Sequence, residues 1–469
     1  MKRLLRYRLS LLLILISLSV SGQTPKSTNN SALIAAAIKE FDDPRGVDPM
    51  KTYTIINDLK NIKNSCDANQ KNTIDLLTSE QQNRQGDITG FIEGMSELIN
   101  RQPQFKEQLL IHYFAINTTK YWIHKNNLIN ASNSSLKNIF EARRSKVNRN
   151  ISQAYQNRAF LFRVKNMKDS AVFYSILSTK YAKRSDSRID LALSFHNESL
   201  IQAHFGELEL AVEKELLALQ IAEKLNLIYL ESMFNRMICN YSLEVLNIKE
   251  SYVYLKKAKS LATKLNDERS IALCEISESG ILISDFKYND AIILLEKAIK
   301  KLEKFNDVEQ IGIGYEYLGQ AFGKMNKDSD ALTAYNKSLS LFESTGNQDE
   351  KANLYLLIGQ VYLKGKSFEK AIDNIKKSIA IRDAQKEKNK IYIAFKVLSD
   401  LYFETGNKDL SYEYLKKYVD FLELNSTSKN SQKIASLTQK NSSEERERLL
   451  ELQGETLEKE LKEKKILQL

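Results

Sequence analysis

Apolar and polar positions alternate on a helical period through most of this chain. From Gly312 onward, Tyr315, Leu318, Gly319 and Phe322 recur three and four residues apart, the spacing that gathers side chains on one face of a helix. Lys324 to Lys327 break that stripe with a polar turn. Asp328, Ser329 and Asp330 then supply N-cap candidates and acidic charge for a second helix, on which Ala331, Tyr335, Ser338 and Leu339 resume the apolar stripe. Gly346 offers a left-handed stop. The pattern predicts a pair of helices, A followed by B.

The pair is copied at a fixed interval. Ala171, Ala211, Ser251, Ala291, Ala331, Ala371 and Ser411 stand 40 residues apart on helix B. Twelve residues before each stands a second small residue on helix A: Ala159, Ser199, Cys239, Ser279, Gly319, Gly359 and Ser399. Small side chains are needed where two helices approach closely. A constant period of this length means one supersecondary unit stacked many times. Tyr155, Phe195, Tyr315, Tyr355 and Phe395 share one repeat position, which assigns these aromatics to the core and not to a stacking platform.

These motifs resemble the tetratricopeptide repeat. Tyr315, Leu318, Gly319, Phe322, Ala331 and Tyr335 match its pattern in one unit. Tyr355, Ile358, Gly359, Tyr362, Ala371 and Ile375 match it in the next, and Phe395, Leu398, Ser399, Tyr402, Ser411 and Leu415 follow. Earlier units hold phase through Tyr155, Ala159, Phe162 and Ala171, then Phe195, Ser199 and Ala211. The family's usual repeat is shorter, and its Pro near the repeat end is absent here. Helices lengthened by a turn account for both departures, with Asp186, Asn226, Asn266, Asn306 and Gly346 as stops. The resemblance implies an all-α, right-handed α-solenoid of helix pairs with a concave face lined by helix A.

The chain divides accordingly. Residues 1–22 read as a signal peptide: Lys2, Arg3, Arg6 and Arg8, then an apolar run from Leu9 to Val20, then small residues up to Gly22. Residues 23–150 read as degenerate capping helices, with runs near 31–41 and 50–64, a helix over 88–99, and a unit marked by Trp122, Ala131 and Ile139. Seven repeats fill 151–430. Residues 431–469 end in a charged helix with Leu450, Leu457 and Leu461 on one seam; a coiled-coil dimer and a solvated single helix both remain open.

Composition narrows the function by exclusion. The chain carries 69 basic and 59 acidic residues, and removing 1–22 leaves a net charge of +6, too dilute for a nucleic-acid surface. Only four Pro occur, none after Pro103, which suits an all-helical chain. Three Cys, with Cys239 and Cys274 on neighbouring helices, read as buried small residues and not as a disulfide framework. The four His form no metal pattern, and Gly312, Gly314 and Gly319 lie within a helix, not in a phosphate-binding loop. No catalytic constellation, metal site or cofactor is expected. Groove-facing candidates are Gln156, Arg163, His196, Arg236, Asn240, Gln320, Lys324, Gln360, Lys364 and Lys396, with His204 and Glu316 beside them. Amide and cationic donors in that arrangement suit an extended peptide. The expectation is a non-enzymatic, exported periplasmic scaffold for a protein or peptide. Its alternative is the extracytoplasmic sensory module of a Bacteroidetes-type kinase or transcriptional regulator. A membrane would be met only through an uncleaved signal or a span beyond Leu469.

Overall fold

The structure, a computed structural model, describes residues 26–42, 49–384 and 388–422. The expected signal peptide and the charged terminal helix lie outside the described residues. Two helices lead, α1 (Lys26–Asp42) and α2 (Pro49–Ile62). From Ala68 the chain alternates A and B helices without exception. The first pairs are α3 (Ala68–Gln85) with α4 (Ile88–Arg101), α5 (Gln108–His124) with α6 (Leu128–Ser145), and α7 (Asn148–Val164) with α8 (Lys168–Arg184). Next come α9 (Arg188–His204) with α10 (Leu208–Lys224), α11 (Ile228–Glu244) with α12 (Ile248–Leu265), and α13 (Glu268–Ser284) with α14 (Tyr288–Glu303). The series ends with α15 (Val308–Lys324) and α16 (Asp328–Thr345), α17 (Gln348–Lys364) and α18 (Phe368–Ala384), and α19 (Lys388–Glu404) and α20 (408–422). Among the described residues there is no strand.

Most A helices are 17 residues long, about 25 Å, and from α5 onward three residues separate each from its B helix. The middle residue of that turn is left-handed. Asn126, Asn166, Gly206, Asn326 and Gly406 suit the position; Leu246, Phe286 and Lys366 hold it in spite of their Cβ atoms. B helices end in the same way at Asn226, Asn266, Asn306 and Gly346. Asp186 is the exception, because α8 stops at Arg184 and Ser185 continues in extended backbone. The expected side-chain caps at 328–330 also differ. Helix α16 begins at Asp328 itself, so Asp328 and Asp330 lie in the first turn, where they meet the positive end of the helix dipole.

Within each pair the small residues set the crossing. A Cβ on Gly319 would lie 2.5 Å from the ring of Tyr335 on α16, so this face of α15 can carry no side chain. A second close crossing joins the fifth residue of helix A to the eleventh of helix B. Ser152 donates to the Ser178 carbonyl (2.8 Å), Ser232 to that of Ala258 (2.9 Å), Ser338 to that of Gly312 (2.8 Å) and Ser378 to that of Ala352 (2.6 Å). Buried Ala192 with Ala218, and Ala272 with Ala298, fill the same places in two further repeats. Of the aromatics expected in the core, Tyr155 is fully buried. Phe195, Tyr315, Tyr355 and Phe395 are half-buried. Lysines of the partner B helix cover two of them: Lys337 lies 5.2 Å from the Tyr315 ring and Lys377 5.7 Å from that of Tyr355. Cys239 and Cys274 are buried and free in one apolar cluster.

Consecutive A helices touch: α5 meets α7, α7 meets α9, α11 meets α13, and α13 meets α15. The shorter spacing on the A side bends the stack so that A helices form the inner layer and B helices the outer one. The bend is tight enough to close. Helix α4 packs against α15 and α16, more than five repeats away. His124 Nδ1 lies 3.2 Å from the Thr345 carbonyl, 221 residues along the chain. A Cβ on Gly346 would approach the His124 carbonyl oxygen to 2.5 Å.

Candidate functional site: the interior of the superhelix

Closure brings the ends of distant A helices to one place. Arg163 lies in the last turn of α7, His204 ends α9, and Tyr241 and Glu244 finish α11. Glu309 opens α15, and Asp349 and Glu350 open α17. The His204 ring nitrogen Nδ1 stands 3.7 Å from the Asp349 carboxylate across the interior. Between these ends lies a cavity of about 1190 Å³, lined by Phe160, Arg163, His204, Arg269, Asp307, Glu309, Asp349 and Glu350 among others.

Both signs of charge line the cavity, and burial dominates their electrostatics. Arg269 binds Asp307 at 2.6 Å, a pair formed within the wall. Arg163 stacks 5.0 Å from the ring of Phe160. Burial lowers its pKa, while Asp349, Tyr241 and Glu309 partly restore it. Burial pushes the Glu309 carboxyl up to about 7, with the charge of Asp307 adding to the shift. Glu316, one layer in, is pushed up to about 8 by burial and by Glu350. Its Oε1 accepts from the amides of Gln320 (3.1 Å) and Asn353 (2.9 Å). Among the described residues no group of His, Cys, Asp and Glu is arranged to hold a metal ion.

The residues expected to face a ligand are distributed unevenly. Arg163 lines the cavity. His196 turns toward helix B, its Nδ1 2.9 Å from Glu215 of α10. Asn240 accepts from the hydroxyl of Ser277 at 2.7 Å, and Gln320 is held by Glu316. Arg236 is half-buried beside the Cys239–Cys274 cluster, and Gln156 is half-buried on α7. Lys364 reaches Asp328 of the preceding repeat at 2.9 Å. Lys396 pairs with Asp400 one turn on. Lys324 and Gln360 are exposed.

Sequence reasoning passed over the position two before the small residue of helix A. In α15 that residue is Tyr317, whose ring lies across Gly280 of α13; a Cβ there would sit 3.1 Å from it. In α13 it is Ser277, which bonds Asn240 of α11. The position therefore faces the preceding A helix on the inner layer. In the early repeats it is Asn117, Asn157 and Asn197, again 40 apart. Asn157 and Asn197 are buried, and neither amide group of Asn157 nor the Nδ2 of Asn197 has a hydrogen-bond partner. The spacing of three asparagines was the available signal.

No protein-family model matches the sequence, and no curated protein matches it. Solved structures do. A Rap protein complexed with competence and sporulation factor aligns with a TM-score of 0.53 and 12% identity, over 83% of this chain and 97% of that one. The Rap conjugation gene regulator of plasmid pLS20 in complex with the Phr* peptide aligns at 0.47 and 12%, over 86% and 97%. A tetratricopeptide repeat protein from Parabacteroides merdae aligns at 0.40 and 16%, over 59% and 96%. The chain is an all-helical repeat solenoid whose structural neighbours are tetratricopeptide-repeat proteins.

Proposed function

We propose that this chain is a non-enzymatic scaffold that binds an extended peptide segment inside its superhelix. The observation that carries the reading is a cavity of the inner layer lined by both signs of charge, together with the unsatisfied amide atoms of buried Asn157 and Asn197 on the A helices that form that layer. An amide left without a partner in the interior costs about 1–3 kcal/mol. An extended backbone presents the alternating donors and acceptors that satisfy such groups. The similar Rap protein, complexed with competence and sporulation factor, supports the reading at the level of fold. The same groove serves the sensory-module reading, in which occupancy is passed to an output domain. Export to the periplasm belongs to this proposal and rests on the pattern of residues 1–22.

Selection of a displayed random peptide library on the purified chain, followed by calorimetry with the selected peptide, tests the reading. Asn157→Leu and Asn197→Leu are expected to abolish that binding while Tm holds or rises, because each removes an unsatisfied polar group. Binding unchanged in both variants would remove the groove from consideration. Loss of binding together with loss of Tm would show that these amides serve the fold.

A further inference from the structure

Two adjacent repeats depart from the common pattern at two unrelated positions at once. The left-handed middle residue of the A-to-B turn is Asn or Gly in five of the eight turns from 126 to 406. In two adjacent repeats it is Leu246 and Phe286, with φ of 59° and 63°. Large L-residues rarely adopt this backbone, so each costs stability that Asn or Gly would spare. Neither side chain recovers the cost by packing: Leu246 is 75% exposed and Phe286 79%.

The second position lies on the outer layer, the sixth residue of helix B. It is Asn133, Glu213, Thr333, Asp373 and Glu413 in α6, α10, α16, α18 and α20, as a solvated face requires, and in α8 a half-buried Phe173 that packs on the core. In α12 and α14, the same two repeats, it is Val253 and Ile293, 50% and 67% exposed. Tyr252 joins the two anomalies, since its hydroxyl donates to Asp285 (3.0 Å), the residue before Phe286. The result is a group of exposed apolar side chains at the turns and on the outer face of α12 and α14.

The α12 side of this surface is mainly cationic, whereas Asp290 and Glu296 flank Ile293 on α14. Helix α12 carries Lys249, Lys256, Lys257, Lys259 and Lys264 against the single carboxylate Glu250. Lys249, Lys256 and Lys257 are exposed beside Val253, and among the described residues none of the three has a carboxylate within ion-pair reach. A folded chain gains little from exposed apolar groups in strained turns beside cations that lack a carboxylate partner. A complementary partner gains from all three.

We propose that this surface docks a protein partner through an acidic amphipathic helix, separately from the inner groove. The apolar face of that helix covers Leu246, Val253, Phe286 and Ile293. Its carboxylates meet Lys249, Lys256 and Lys257. The lysines accelerate encounter and fix orientation, and the apolar contacts slow release.

A fluorescein-labelled synthetic amphipathic peptide about five helical turns long, with Leu on one face and Glu on the other, is the probe. Its counterpart carries Lys in place of Glu. Fluorescence anisotropy on the full chain should show the Glu peptide binding and the Lys peptide failing to bind. Leu246→Asn with Phe286→Asn should weaken that binding at least about tenfold while raising Tm, because Asn suits both turns. Lys249→Glu with Lys256→Glu and Lys257→Glu should weaken it as much and leave Tm in place. Equal binding of the two peptides, or binding that survives both sets of variants, would overturn the proposal. So would sedimentation showing that the chain self-associates through Leu246 and Phe286, since a second copy would then cover the face. Stronger recruitment to vesicles of phosphatidylcholine and phosphatidylglycerol through the same lysines would also overturn it, in favour of a lipid surface.

Discussion

A single carboxyl in the inner layer makes folding respond to pH. Glu316 is buried, and Glu350 stands close enough to oppose a second negative charge. Its pKa of about 8 in the fold compares with 4.5 for an unperturbed glutamic acid. Between those values the folded chain holds a proton that the unfolded chain has released. Stability falls with rising pH wherever the native state binds more protons, so this group's cost grows from pH 4.5 and is complete above pH 8. Glu309 acts in the same direction over a narrower window, up to about 7. Glu316→Gln keeps an Oε1 acceptor for Gln320 and Asn353 without the titration. Thermal unfolding of the two proteins should therefore diverge with pH. The variant should gain little at pH 4.5 and progressively more toward pH 8, at about 1 °C for each kcal/mol recovered in a chain of this length. A difference in Tm that stays flat over that range would show that Glu316 is ionised in the fold.

At the scale of the helix pair, stability lies in how closely A and B cross. The Ser338 hydroxyl bridges α16 to the Gly312 carbonyl of α15, a contact repeated at Ser152, Ser232 and Ser378. Ala298 holds the same place in α14 with no hydroxyl, against Ala272 of α13, and both are fully buried. Removing the hydroxyl and widening the crossing are different injuries. Ser338→Ala should cost about 1 kcal/mol, the net worth of one hydrogen bond. Ala298→Leu should cost about 1–3 kcal/mol, because it wedges the helices apart. Denaturant midpoints that reversed this order would mean that hydrogen bonding, not spacing, limits the crossing. The ladders at 159–399 and 171–411 were legible in sequence because small residues recur there without interruption. This third crossing was less visible, since Tyr392 and Tyr418 take its place in the last pair, stacked 6.1 Å apart, and His112 with Asn138 in an early one. One inner-layer position is hard to read from sequence for a related reason. The position three before the small residue carries buried Ile276 and Leu356 in two repeats, which marks it as packing surface. The position beside it, with Asn157, Asn197 and Tyr317, is the one that crosses the inner layer.

A solenoid is ordinarily a one-dimensional object in which each repeat meets only its neighbours. This one also meets itself. After about five and a half repeats, the turn after α5 reaches the end of α16, where His124 and Thr345 bond and Gly346 packs on the His124 carbonyl. No local pattern announces this contact, because it depends on a small rotation summed over many repeats. It encloses the interior cavity, so loosening it should open the site without unfolding any helix. Gly346 allows a clean test. It is left-handed at φ 75°, as are Asn226, Asn266 and Asn306 at the ends of other B helices. Gly346→Asn therefore keeps the helix stop while driving a side chain into the His124 carbonyl. The radius of gyration from small-angle scattering should rise. Hydrogen exchange should accelerate at 123–128 and 345–350, and helical content should stay unchanged. Asn266→Gly, at a stop that makes no such contact, should leave the radius as it is. If Gly346→Asn leaves both scattering and exchange unaltered, the two turns of the superhelix are not held together at this point, and access to the interior is controlled elsewhere.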